Sequence, residues 1–156
     1  MLLNMNQTGN LGTLIRMSDW FGLRNILCSS DCCDCYNPKV VRATSGSLAR
    51  VRVHYIENLH ETLKNLDAPL LGASMDGRNI YEEDSFPKNQ DAVLVMGSEG
   101  QGLSPEVREV LHGFVSIPSY SSPNNNGNCS HSTGAESLNV AMAASILISE
   151  IKRASG

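Results

Sequence analysis

Short apolar runs alternate along this chain with segments whose apolar residues recur at helical spacing. Leu2–Met5, Asn25–Cys28, Val51–Ile56, Pro69–Ala73, Ala92–Met96 and Phe114–Ile117 read as strands. Between them, Leu11–Phe21, Pro38–Leu48, Leu59–Leu66, Pro105–Leu111 and Glu136–Arg153 read as helices. Alternation of this kind predicts an α/β fold, a parallel sheet flanked by helices on both faces. Val93-Leu94-Val95-Met96 has no polar alternation, as a strand buried on both sides requires. Ser104-Pro105-Glu106 reads as an N-cap, a proline at the first helical position and an acid in the first turn. Gly113 reads as the stop of that helix. The last helix is apolar most of the way round, so it needs burial in the core and has enough apolar surface left for a subunit interface. Lys152 and Arg153 near its end suit its dipole. Ser119 to Gly134 is polar and rich in turn formers, and reads as a long loop between a core strand and a core helix.

Composition narrows the class. A length of 156 residues with 41% hydrophobic content suits a single domain, residues 1–156, with a sizeable core. There is no run of about 18 apolar residues to span a membrane, and the first residues do not form a signal peptide, so the expectation is a cytoplasmic protein with no membrane partner. Cys28, Cys32, Cys33 and Cys35 crowd together, and the total of five is odd. That pattern suits reduced thiols at a strand end and in the following loop. Cys32 and Cys35 make a C-x-x-C pair, but zinc needs two further ligands at sensible spacing, and no metal is expected.

The net charge of −4 argues against coating nucleic acid by charge alone. The charge is uneven, however. Through Val53, six basic residues face three acidic ones, a net +3, which leaves −7 for the remainder. A cationic face for an anionic polymer and an evenly solvated surface are both compatible with that distribution.

Three segments carry candidate chemistry. Gly97-Ser98-Glu99-Gly100-Gln101-Gly102 follows a buried strand and precedes a capped helix. Glycines at a strand end let backbone approach a ligand, although such turns are often only turns, and Glu99 among them needs a partner. Glu136-Ser137-Leu138-Asn139-Val140-Ala141 opens the last helix with two polar residues, more than capping alone explains. In Gly9-Asn10-Leu11-Gly12-Thr13-Leu14-Ile15-Arg16, Asn10 is placed to cap the first helix. Arg16 either faces solvent or aims a guanidinium at phosphate.

Taken in this order, the three segments resemble the motifs of the SpoU/TrmH family of the SPOUT superfamily. The first motif matches Asn10 and Arg16, the second Gly97 to Gly102 with a later Ile117-Pro118, and the third Ser137 to Val140. Tyr36 to Leu48 also resembles the family's second helix. The likeness spans nearly the whole chain. It implies a parallel sheet whose C-terminal part is threaded into a deep trefoil knot, an architecture that pattern reasoning alone would not propose. It implies a homodimer that methylates a ribose 2′-hydroxyl of RNA with S-adenosylmethionine, rRNA before tRNA.

The resemblance also implies site residues. Gly97, Ile117 and Leu138 would be the main cofactor contacts, with Met96, Pro118, Ser119 and Gly102 beside them. Arg16 would hold the phosphate and lower the hydroxyl pKa electrostatically, since arginine keeps its proton and makes a poor base. Asn10 and Glu99 would orient Arg16 and the nucleotide across the dimer. Ser137 and Asn139 would order the pocket and the attacking oxygen. Arg16, Lys39 and Arg42 are candidate RNA contacts. Many relatives carry an RNA-binding domain before the first motif, and nine residues precede Asn10, so the expectation is a catalytic domain with that domain absent. Relatives also have a tight link where Ser119 to Gly134 stands here as an insertion. A non-catalytic RNA-binding module of the same fold and an α/β enzyme using another nucleotide cofactor are the alternatives.

Overall fold

The computed structural model describes residues 2–3, 8–82, 85–87, 92–98, 100–120 and 137–155. The strands are β1 (Leu2–Leu3), β2 (Asn25–Ser29), β3 (Arg52–Ile56), β4 (Leu70–Asn79), β5 (Val93–Met96) and β6 (Gly113–Ser116). They form one sheet in the order β3-β2-β1-β5-β4-β6, and every neighbouring pair is parallel. The helices are α1 (Thr8–Trp20), α2 (Pro38–Thr44), α3 (Leu59–Lys64), α4 (Pro105–Glu109) and α5 (Val140–Ser155), with one 3-10 turn at Ser47–Ala49.

The expected two-sided burial is seen in β5. Leu94 and Met96 pack with Leu11, Leu14 and Ile15 of α1, Val40 of α2 and Ala144 and Leu147 of α5. Val93 and Val95 turn to the other face, against Leu63 of α3 and Val107 of α4. Each fully buried Leu or Ile contributes roughly 1.5–3 kcal/mol by leaving water. Among the described residues, no helix is long and apolar enough to cross a membrane.

Several boundaries differ from the sequence reading. The helix α1 begins at Thr8, so Asn10 sits inside the first turn and does not cap it. The expected helix over Pro38–Leu48 is two pieces. Asn37 caps α2 by accepting from the Lys39 amide at 3.0 Å. Ser45 (φ 48°) and Gly46 (φ 87°) then adopt left-handed backbone, which ends α2 before the 3-10 turn. Ser104 and Pro105 open α4 as expected, but α4 stops at Glu109, and Gly113 opens β6 instead of ending a helix. The last helix starts at Val140, not Glu136. Asn139 caps it, accepting from the amides of Ala141 at 3.0 Å and Met142 at 3.4 Å. Residues 121–136, which include Cys129 and most of the expected loop, lie outside the described residues.

Two close approaches set the geometry around α1 and β4. A methyl group on Gly12 would lie 2.5 Å from the Ala43 Cβ and 2.8 Å from the Val40 carbonyl oxygen, so glycine lets α1 and α2 almost touch. The strand β4 continues to Asn79, because Val115 of β6 faces both Ala73 and Arg78 across a bulge. Arg108 of α4 braces the bulge, donating to Ser74 Oγ at 3.3 Å and Asp76 Oδ2 at 3.2 Å, with its guanidinium 4.3 Å over the Phe114 ring.

The cysteine cluster is packing. Cys28, Cys32, Cys33 and Cys35 are free thiols. The Tyr55 hydroxyl pins their loop, accepting from the Cys35 amide at 2.7 Å and donating to the Cys33 carbonyl at 2.8 Å. A hydrogen bond with Cys32, then burial, pushes the Cys28 thiol up, away from thiolate reactivity. No three His, Cys, Asp or Glu side chains among the described residues are placed to hold a metal.

Candidate active site

The order of the strands points to a site before any motif is considered. From β1 the chain winds outward to β2 and β3, then crosses over and builds β5, β4 and β6 on the other side. The strands β1 and β5 are therefore neighbours at which the winding reverses, with Leu3 opposite Met96. In open α/β sheets the crevice beyond the carboxyl ends of two such strands is where ligands collect. Beyond β1 comes α1 with Asn10, and beyond β5 comes the Gly97–Gly102 turn.

The third segment joins them there. The Asn139 amide nitrogen donates to Asn10 Oδ1 at 3.0 Å, linking residues 129 positions apart. Asn139 thereby caps α5 with its oxygen and holds α1 with its nitrogen. Asn10 is buried, which makes a satisfied amide there worth keeping.

Arg16 is not part of this link. Six residues after Asn10 it lies on a different side of α1, exposed, and its Nη1 donates to Ser45 Oγ at 3.2 Å. Within one chain, then, Asn10 goes to Asn139 and Arg16 to Ser45. Glu99 lies outside the described residues. Ser137 is exposed ahead of α5, and Lys39 and Arg42 are exposed on α2.

The Gly97–Gly102 turn folds on itself. The Ser98 amide donates to the Gly102 carbonyl at 3.0 Å and the Gly102 amide to the Ser98 carbonyl at 2.9 Å. A Cβ on Gly97 would lie 2.1 Å from the Gly102 carbonyl carbon. Its glycine is thus required by the chain's own backbone, which is a different close approach from the ligand expected there. Gly102 needs its freedom for φ 67°.

Of the other candidate cofactor residues, Met96 is buried, Gly97, Ile117 and Pro118 are half-buried, and Ser119 and Leu138 are exposed. Met96 and Gly97 close β5, Ile117 to Ser119 follow β6, and Leu138 precedes the α5 cap. All belong to the carboxyl-end edge of the sheet or to the segment tied to it through Asn10.

A second feature was not anticipated. A groove of about 720 Å³ lies along α1, the residue that ends α2 and the 3-10 turn, lined by Thr13, Arg16, Trp20, Ser45, Ser47 and Arg50 among others. Asp19 sits in it, held by Arg50 through Nε at 3.0 and 2.9 Å and Nη2 at 2.6 Å. Those hydrogen bonds, with help from Ser47, hold the Asp19 carboxyl below the usual carboxylate range. The i, i+3, i+7 spacing of Thr13, Arg16 and Trp20 is the signal in the sequence that places them on one stripe.

Comparison with known proteins agrees with the geometry. The model of the SpoU rRNA Methylase family matches residues 1–149. A TrmH-family protein from Porphyromonas gingivalis is 38% identical with a TM-score of 0.81, covering 99% of this chain and 59% of that one. The SpoU methyltransferase AviRb from Streptomyces viridochromogenes, solved in complex with AdoMet, is 26% identical with a TM-score of 0.78, covering 97% and 58%. The 23S rRNA (guanosine(2553)-2′-O)-methyltransferase RlmP of Bacillus subtilis is 29% identical over 146 residues, 92% of this chain and 53% of its own length. The chain spans about half the length of the curated relatives it matches. With a family model covering all but the last residues, and a hydrogen bond between Asn139 and Asn10 joining the first and third segments, this chain belongs to the SpoU rRNA methylase family.

Proposed function

We propose that the protein transfers a methyl group from S-adenosylmethionine to a ribose 2′-hydroxyl of RNA, with rRNA preferred to tRNA. The observation that carries the reading is the Asn139–Asn10 hydrogen bond at the β1/β5 reversal, which joins two motif segments where such sheets bind ligands. The AdoMet complex of AviRb and the 2′-O activity named for RlmP support the cofactor and the atom methylated.

The cofactor supplies an electrophilic methyl group; the chain's task is to hold the ribose oxygen in line with it and exclude water. Main chain at Gly97 and Ile117 and the exposed Leu138 side chain are suited to bind the adenosine, with Met96, Pro118, Ser119 and Gly102 around them. Arg16 holds the phosphate beside the target ribose, and its positive charge favours the alkoxide that forms as the proton leaves. Asn10 and Asn139 keep α1 and α5 in register, so that Ser137 and the cofactor rim stay fixed relative to α1. Glu99 completes the set through the nucleotide.

The same proposal includes a homodimer with sites built across its interface, a trefoil knot and a cytoplasmic location. The return of α5 to α1 and β5, after β6 at the far sheet edge, is consistent with a threaded C-terminal part.

The test is calorimetric titration with S-adenosylhomocysteine, followed by methyl transfer to RNA. Micromolar binding, roughly −8 kcal/mol, is expected for both the parent and Arg16→Ala, with methyl transfer lost in the variant. No binding at millimolar ligand would end the enzyme reading, and full turnover in Arg16→Ala would remove Arg16 from it.

A further inference from the structure

The groove on α1 carries more than one arginine's work. Trp20 is the only tryptophan in the chain, and it is 85% exposed at the end of a helix whose other face is buried. Leaving so large an aromatic surface in water forgoes stabilisation that a partner would supply. One helical turn before it, about 6 Å along the axis, stands Arg16.

Charge says what kind of partner fits. Arg50 takes Asp19 with three hydrogen bonds, and Arg24 is close enough to act on the same carboxyl. Arg16 has a hydroxyl partner, Ser45, and no carboxylate within ion-pair distance among the described residues. Arg50 and Arg24 thus share one carboxylate, and Arg16 adds a positive charge with no carboxylate of its own among the described residues. A two-fold contact of this face with itself would set these cations against their own copies. An anionic polymer with flat bases satisfies both needs, since phosphate matches the guanidinium fork and a base stacks on indole.

We infer that this groove is a subsite for one unpaired ribonucleotide, its phosphate held by Arg16 and its base stacked on Trp20. The inference rests on the RNA reading above and narrows it: the bound RNA is single-stranded at this position. A base inside a duplex is already stacked on both faces and has none to offer the indole.

Because Trp20 is the sole tryptophan, its emission reports on the groove directly. The full chain is titrated with an oligouridylate long enough to cross the groove, and with a blunt RNA duplex. The single strand is expected to quench Trp20 emission and the duplex to leave it unchanged. Trp20→Ala is expected to weaken single-strand binding, read by anisotropy of a labelled strand, by about tenfold or more. Trp20→Phe should recover most of that loss, and neither variant should change S-adenosylhomocysteine affinity or oligomeric state.

Absent or equal quenching by both RNAs, or unweakened binding by Trp20→Ala, would overturn the subsite. So would dissociation of a dimer in Trp20→Ala, which would assign the ring to a second copy of the chain. The two readings fail separately. Quenching without S-adenosylhomocysteine binding leaves the subsite and removes methyl transfer; cofactor binding without quenching does the reverse.

Discussion

Gly97 shows how a single missing methyl group decides a local structure. Its would-be Cβ collides with the Gly102 backbone, whereas a Cβ on Gly100 meets nothing within 4 Å. Gly97→Ala is expected to cost about 2 kcal/mol, the scale of overpacking against groups that cannot move aside. Gly100→Ala should stay within about 0.5 kcal/mol of the parent. Denaturant unfolding of the two variants checks this, and equal stability would mean the turn relaxes freely. Asp19 gives a pH-dependent case at the same scale. Hydrogen bonds from Arg50 lower its native pKa, so the pair's stabilisation is complete above about pH 4 and fades as pH falls through the lowered value. The stability advantage of the parent over Asp19→Asn should therefore be larger at pH 6 than at pH 3. An advantage independent of pH would show that the ion pair contributes nothing measurable.

Among the elements, α1 and α5 depend on each other through one amide pair. Asn139 caps α5 and donates to Asn10, so Asn139→Ala should lose about 1 kcal/mol from the cap and more from the link to Asn10. A double-mutant cycle with Asn10→Ala separates the two. A coupling of about 0.5–1.5 kcal/mol is expected; strict additivity would mean that the bond is incidental. Capping was legible at Ser104, where a side-chain acceptor stands just before a proline and a periodic segment. It misled at Asn10, because the same residue type bonds a distant side chain equally well, and spacing along the chain carries no information about which partner is near. The split of α2 was hidden for a similar reason. Ser45 has no left-handed preference comparable to glycine's, so its φ of 48° leaves no mark in the sequence.

For the whole molecule, α5 and the segment before it leave apolar surface uncovered: Met142 on α5 is 59% exposed and Leu138, ahead of its cap, 50%, beside a face of the helix that is buried. With the proposed dimer, light scattering should give twice the chain mass of 16.9 kDa, and Met142→Asp should lower it toward one. A monomer at micromolar concentration would remove the shared-site part of the proposal.

The strand–helix alternation, the parallel sheet and the two-sided burial of β5 were determined by the sequence itself. Each follows from where apolar residues recur, and burial acts on every run independently of its neighbours. The family likeness was also legible, because it lives in the order and spacing of short motifs. Only the tertiary structure decided that β1 lies beside β5, that Asn10 meets Asn139, and that Arg16 leaves that pair to share a groove with Ser45, Trp20 and the Asp19–Arg50 ion pair. Those contacts join residues tens of positions apart. They exist because close-packed helices and paired strands bring separate stretches within bonding distance, which no local pattern of polar and apolar residues encodes.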